Sequence, residues 1–385
     1  MKQARDPWTL ILAVCAGNTI GLIPSSVTAF LIGGLMDDLG FSEIEAGALG
    51  TTEMMTVAAT SMLVAPFMVR LSVVRVAFFG VLLAAGAQLG SVFLESFWLL
   101  IAARFLSGIG SGLVLAAATA AAAAAADPDR LYGYAIACFL GMMFVLAPGL
   151  STVIDTRGIA GGYASLGAFF LLLAPFLVWL GRAKRAAAVE ATRDVPLPRG
   201  ELVLLMSVMV LFGLGPGPLW AFMERIGVGL GLEKSVGPLY SLGILFGFGG
   251  SLFTGWLGPR WGRTKPLVFG FLANGIACLG FCLVSGLLGY AAMMVLFWTS
   301  YQFLVVFLFA TVAAFDPAGR VGAAGVGIFQ LTLGVGPALG GVLVTTGSYA
   351  ATGWFAVSVM GMGALLVAAL GRPLNRLGAE PADPG

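Results

Sequence analysis

The chain has no histidine, and only 10% of its 385 residues are charged. Without histidine there are no His metal sites, no His general bases and no His proton relays. Soluble globular domains carry charge at roughly a quarter of their positions, so a water-exposed fold is excluded. Twenty Lys and Arg against eighteen Asp and Glu leave no basic excess to hold nucleic-acid phosphates. There is no GxxxxGK[ST] run, hence no ATP motor, and no visible nucleophile–base pair, hence no enzyme. The four cysteines, Cys15, Cys138, Cys278 and Cys282, all lie in apolar runs. Cys278 and Cys282 share a helix face at i,i+4 but have no further Cys or His nearby, so they read as core filling rather than a metal site. No cofactor is implied. What remains is apolar: 59% hydrophobic residues and a mean hydropathy of +1.00 describe an integral membrane protein.

A helix needs about 20 apolar residues to cross a bilayer. Runs of that kind lie near 8–35, 44–69, 75–94, 97–125, 131–153 and 162–180. A second set lies near 202–226, 236–258, 265–285, 288–314, 321–345 and 351–371. The reading is an all-α membrane protein of twelve spans, residues 1–180 and 201–385 forming two six-helix bundles. The connector 181–200 is the longest polar stretch, with Arg182, Lys184, Arg185, Arg193 and Arg199. The first apolar run is too long for a cleavable signal peptide. With both termini in the cytoplasm, sixteen of the twenty basic residues fall on cytoplasmic segments. Only Arg157, Arg225 and Lys234 fall outside, and Arg104 falls within a span.

The halves repeat. Glu43 and Glu233, Gly47 and Gly237, Arg70 and Arg260, and Gly80 and Gly270 are each 190 positions apart. Pro148 and Pro337 are 189 apart. Parallel repeats of this kind predict a transporter whose site lies between its halves.

Three stretches resemble the major facilitator superfamily, and the resemblance covers the whole chain. Gly255, Gly258, Arg260, Gly262, Arg263 and Lys265 match its GxLaDrxGrkx loop, with Pro259 in place of the usual Asp. The first-half copy, 65–75, keeps Arg70 and Arg75. Arg104, Gly108, Gly110 and Gly112 resemble the RxxxGxGxG pattern of proton-coupled members. Gly336, Pro337, Gly340 and Gly341 resemble the GPxxGG motif of exporters, but in span 11 rather than the usual span 5, where a Pro-kinked, close-packed helix is the plainer reading. The resemblance implies a bacterial inner-membrane, drug/proton-antiporter-like protein acting as a monomer in lipid, with a cavity lined by spans 1, 4, 7 and 10.

Membrane depth selects the candidate residues. Arg104 lies seven residues into span 4, about 10 Å deep at 1.5 Å per residue, where an unpaired cation is costly. Glu53 is the one carboxylate well inside an apolar run, at about the same depth. Spans 2 and 4 are neighbours in the superfamily, so the two can pair, either as a proton switch or as a fixed structural bridge. Glu224 and Arg225 end span 7 beside Trp220, as an interface anchor or as an outer gate residue or second protonation site. Gly213, Gly215, Pro216, Gly217 and Pro218 predict a break in span 7, and Gly21 to Pro24 one in span 1. Asn18, Arg104, Trp298, Tyr301 and Gln302 are the mid-membrane candidates for solute contact, in walls otherwise of Phe, Met, Leu and Trp.

These features support a proton-driven exporter of an amphipathic or aromatic solute. Two other readings stay open. One is an importer of a small organic anion bound by Arg104, with protons or sodium as co-substrate. The other is a scaffold or sensor without transport.

Overall fold

The computed structural model describes residues 7–125, 128–182, 199–257, 261–315 and 320–371, and among them all regular structure is helical. In the first half the helices are α1 (Trp8–Leu39), α2 (Glu43–Val64), α3 (Val73–Ser91), α4 (Phe97–Ala123) and α5 (Pro128–Leu173). The second half holds α6 (Arg199–Leu214), α7 (Gly217–Gly229), α8 (Glu233–Leu257), α9 (Thr264–Leu283), α10 (Gly286–Phe315), α11 (Arg320–Thr346) and α12 (Tyr349–Ala369). Helices satisfy every backbone polar group within one segment, the condition lipid imposes. Among the described residues, ten helical segments are long and apolar enough to cross a membrane. One of them, Leu131–Arg182, has 52 residues, about 78 Å at 1.5 Å per residue and enough for two crossings. α2 is not among the ten, because Glu53, four threonines and a serine interrupt its apolar run. The arrangement is compatible with twelve crossings in a multi-pass all-α membrane protein.

Two expected boundaries differ in detail. Spans 5 and 6 run as one element, bent at Gly158 (φ 69°, ψ −176°). The Asp38 carboxylate, at the end of α1, accepts the Ile159 N–H and caps the helix that restarts there. A Cβ at Gly158 would lie 2.7 Å from Asp38 Oδ2, so the bend needs glycine for space as well as for its positive φ. Span 7 is broken where expected: α6 ends at Leu214 and α7 starts at Gly217, with Pro216 as its N-cap. Span 1 is not broken. α1 continues through Pro24, whose carbonyl accepts from Thr28 Oγ1 at 2.6 Å, while Ser25 and Ser26 both donate to Leu22 O. Gly21 is pressed on Leu115 of α4, which leaves the helix little room to open.

By packing, the chain forms two units, Met1–Val189 and Glu190–Gly385. Most of the connector 181–200 lies outside the described residues. In the first unit α4 is central, packed on α1, α2 and α3. Its glycines set the distances. A Cβ on Gly108 would lie 2.7 Å from the Glu53 carbonyl, and one on Gly112 would lie 2.7 Å from Val57 O, both on α2. On the other face of α4, a Cβ on Gly110 would lie 2.5 Å from Gly80 O and Ala84 N of α3. Such small-residue contacts are the main route to close helix packing in lipid.

In the second unit α10 packs on α8 and α9, and α11 on α6 and α7. Gly336 faces Gly217 backbone to backbone, and Gly340 meets Pro218 O and Phe222. The Gly336–Pro337 motif thus seats α11 on the broken span 7. Outward faces are apolar, and Trp8, Trp98 and Trp256 stand exposed near the ends of α1, α4 and α8, where a membrane interface favours tryptophan.

Gly110→Ala should overpack the α3–α4 contact, costing about 1–3 kcal/mol and lowering the melting temperature in detergent by several degrees. Gly86→Ala in α3, whose Cβ would meet nothing within 4 Å, should melt at or above the parent temperature.

Candidate functional site

The first unit buries a charged network. Glu53 on α2 and Arg104 on α4 are 2% and 1% exposed and form a salt bridge of 3.1 Å. Arg104 Nη1 donates to both carboxylate oxygens and, at 2.9 Å, to Gln88 Oε1 of α3. Its Nη2 donates to Ser91 Oγ at 2.6 Å. Gln88 Nε2 donates to Glu53 Oε1 and to Ser107 Oγ, each at 3.1 Å, and Ser107 Oγ donates to Glu53 Oε1 at 2.5 Å. The guanidinium also lies 4.4 Å from the centre of the buried Tyr163 ring, on the second limb of α5.

The orientation of Gln88 follows from its neighbours. A guanidinium has no acceptor, so the amide oxygen turns to Arg104; an ionised carboxylate has no donor, so the amide nitrogen turns to Glu53. Arg104, Gln88 and Ser107 therefore each offer Glu53 a hydrogen. The network is satisfied by an ionised carboxylate, and several hydrogen bonds offset the cost of removing both charges from water.

The network can form because three helices approach closely at the same level. Gly108 and Gly112 bring α2 against α4, and the Gly80–Gly110 contact brings in α3. Arg104 and Ser107 are three apart on α4, as are Gln88 and Ser91 on α3, so each helix presents two polar groups from one face. The sequence had singled out Glu53 and Arg104, and the fold brings them together. It had not singled out Gln88, Ser91, Ser107 or Tyr163. Gln88 carries the signal that marked Asn18 and Gln302, an amide in an apolar span. The serines and Tyr163 carry none, since hydroxyls and aromatics are common in membrane helices.

The second unit holds an aromatic cluster instead. Trp298 of α10 stacks edge-on to Tyr240 of α8, with centroids 5.1 Å apart, and Trp220 of α7 donates Nε1–H to Tyr240 Oη at 3.2 Å. Tyr301 stacks on Phe297 at 5.8 Å and tilts against Phe212 at 5.4 Å. Trp298 Nε1 is buried and has no hydrogen-bond partner. Trp298 lies over Gly243 and Gln302 over Gly247, one turn apart at the α8–α10 contact. Glu224, half-buried on α7, acts electrostatically on Tyr290 of this unit. In the first unit, Asn18 on α1 is buried with Nδ2 unpartnered.

Placing residues 190 apart in register makes the two units comparable. Glu53 corresponds to Gly243, Arg104 to Met294, Ser107 to Phe297, Gly108 to Trp298 and Gly112 to Gln302. The same helix contact is built twice with its bulk exchanged. Small residues lie on α4 in the first unit and on α8 in the second.

In the loop motif, Gly262 has φ 70° and Arg263 Nη1 donates to Thr311 Oγ1 of α10 at 3.2 Å, tying the α8–α9 loop to that helix. Gly255 lies in the last turn of α8, and Arg260 lies outside the described residues. Among the described residues there is no metal-binding group of three or more His, Cys, Asp or Glu.

Comparison with known proteins agrees with this architecture. One solved structure with the same fold is a bacterial homolog of the human lysosomal transporter Spinster, inward-facing and unoccupied. It is 13% identical, with a TM-score of 0.69 over 98% of this chain and 100% of that one. A D-xylose–proton symporter is 14% identical, with a TM-score of 0.75 over 94% and 97%. A POT family transporter in complex with a thioalcohol-conjugated peptide is 14% identical, with a TM-score of 0.75 over 95% and 96%. At these identities the likeness is one of fold. A search of curated proteins finds no match. The family profile described as Major Facilitator Superfamily matches residues 9–332, and the chain, a multi-pass membrane protein of a transporter family, belongs to that superfamily.

Proposed function

We propose that the protein is a proton-coupled secondary transporter that exports a small amphipathic or aromatic solute across a bacterial cytoplasmic membrane by alternating access. The observation that carries the reading is the desolvated Glu53 carboxylate, held by Arg104 and accepting hydrogen bonds from Gln88 and Ser107. Buried ionisable groups in membrane spans are functional by default. A proton can neutralise Glu53, and the neutral acid crosses a closed, dry state without the desolvation penalty of a charge. Sodium does not fit this site. A hard cation needs several oxygen ligands, whereas Gln88 turns its nitrogen to Glu53 and Arg104 adds a positive charge.

Solute contact is assigned to Asn18, Trp298, Tyr301 and Gln302. Support comes from the aromatic cluster around Trp298 and from two buried groups, Asn18 Nδ2 and Trp298 Nε1, whose hydrogen bonds no protein atom supplies. Apolar and aromatic walls with few polar groups suit an amphipathic solute better than a sugar. Arg104 has both terminal nitrogens engaged within the protein, which favours a coupling role over capture of a solute carboxylate. Glu224 is a second protonation site in this reading. The placement of sixteen of twenty basic residues supports cytoplasmic termini.

Glu53→Gln should abolish gradient-driven transport in proteoliposomes while solute exchange without a gradient persists. Undiminished proton-driven flux in that variant removes the proposal. Arg104→Ala leaves the acid unpaired in a dry site, so the transport optimum should move to alkaline pH, with stability lowered by about 3–5 kcal/mol. Arg104→Lys should rescue poorly, because one ammonium cannot serve Glu53, Gln88 and Ser91 in a plane. Trp298→Ala should weaken solute affinity at least tenfold in a binding assay, with melting temperature as the check on folding. Unchanged affinity removes Trp298 from the solute site.

A further inference from the structure

Glu53 has two uncharged partners whose place in the network the coupling reading does not use. Ser107 gives it its shortest hydrogen bond, 2.5 Å, and Gln88 gives one of 3.1 Å, both to Oε1. Both are fully buried, so no solvent replaces either bond if it is lost. Among the described residues, the titratable groups that face Glu53 are Arg104 from α4 and Tyr163 from α5. α3 contributes only the uncharged Gln88 and Ser91, and the acids of α1, Asp37 and Asp38, lie in its last turn.

A hydrogen bond to an ionised acceptor is shorter and about twice as strong as one to a neutral acceptor. Donors aimed at Glu53 Oε1 therefore favour the carboxylate over the acid. We propose that Gln88 and Ser107 are positioning residues for proton uptake at Glu53, each holding Oε1 with a donor that the carboxylate uses better than the neutral acid does. The inference rests on Glu53 being the proton carrier. Gln88 is locked, since Arg104 holds its oxygen and its nitrogen donates to both Glu53 and Ser107. Ser107 is reversible: its hydroxyl donates to the carboxylate now, and after protonation its oxygen can accept the new Glu53 O–H. A proton placed on Oε1 thus weakens one locked donor and turns one hydroxyl, whereas Oε2 is faced by Arg104. This disfavours protonation of the closed site and with it proton slip without solute.

The test is the pH profile of gradient-driven transport in proteoliposomes, with melting temperature and gel filtration as checks on folding. Ser107→Ala and Gln88→Leu should each move the profile's midpoint to alkaline pH, by about half to one unit. Gln88→Glu, nearly isosteric, should move it further, because two carboxylates then share one guanidinium. In a Glu53→Gln background none of the three should restore or shift a titration. Midpoints unchanged, or moved to acid, in Ser107→Ala and Gln88→Leu overturn the inference while leaving Glu53 as the carrier. A wild-type profile that survives Glu53→Gln overturns both. If Ser107→Ala does not fold, Gln88→Glu decides alone, and an unshifted midpoint there is a refutation.

Discussion

A guanidinium and a carboxylate, both withdrawn from water inside a membrane protein, impose the conditions that the first unit meets. Each charge removed from water alone costs several kcal/mol, and their attraction offsets that cost only with good geometry and saturated hydrogen bonds. Arg104 meets the carboxylate at 3.1 Å and engages both of its terminal nitrogens, and Gln88 and Ser107 add further donors to Glu53. The geometry requires α2, α3 and α4 to approach nearly backbone to backbone, which Gly80, Gly108, Gly110 and Gly112 permit. The glycine pattern on α4 and the arginine that precedes it form one device. The glycines bring the helices close enough for the arginine to find its partners.

The internal repeat shows how a duplicated scaffold divides its labour. At corresponding positions the first unit holds Glu53, Arg104 and Ser107, and the second holds Gly243, Met294 and Phe297. Bulk at the central helix contact is exchanged in the same way, since Gly108 and Gly112 correspond to Trp298 and Gln302. A steric fit between two helices can be met with the large residue on either one. Charge has no such freedom, because each buried charge needs its partner on the facing helix. The first unit therefore keeps a connected set of charged and polar residues, while the second keeps a set of aromatic rings around Trp298, Tyr240 and Tyr301.

Prolines act here according to what surrounds them. Pro24 lies within a continuous α1, where hydroxyls from Ser25, Ser26 and Thr28 turn back onto nearby carbonyls and α4 packs on Gly21. Pro216 stands in a run of glycines and ends one helix before the next begins. The break is then covered by Gly336 and Gly340 of α11, so irregular backbone at membrane depth is enclosed in protein, as lipid requires. Pro337 of that same α11 lies inside an unbroken helix.

Hydropathy alone determined the class of the protein and the approximate spans, because lipid selects for long apolar helices whatever their neighbours, and matching residues 190 apart disclosed the repeat. Depth along single helices was enough to mark Glu53 and Arg104, since an unpaired charge at 10 Å is costly in any packing. The break in span 7 was legible because glycine and proline act on their own backbone. Tertiary structure decided the rest. Gln88, Ser91, Ser107 and Tyr163 become functional candidates only when α3, α4 and the second limb of α5 place them around one ion pair. The bend at Gly158 needed Asp38 from a distant helix end to cap it. α1 stayed whole because α4 packs against it at Gly21. Local chemistry is written in the order of residues, but a hydrogen bond between helices depends on distances that only the packed chain sets.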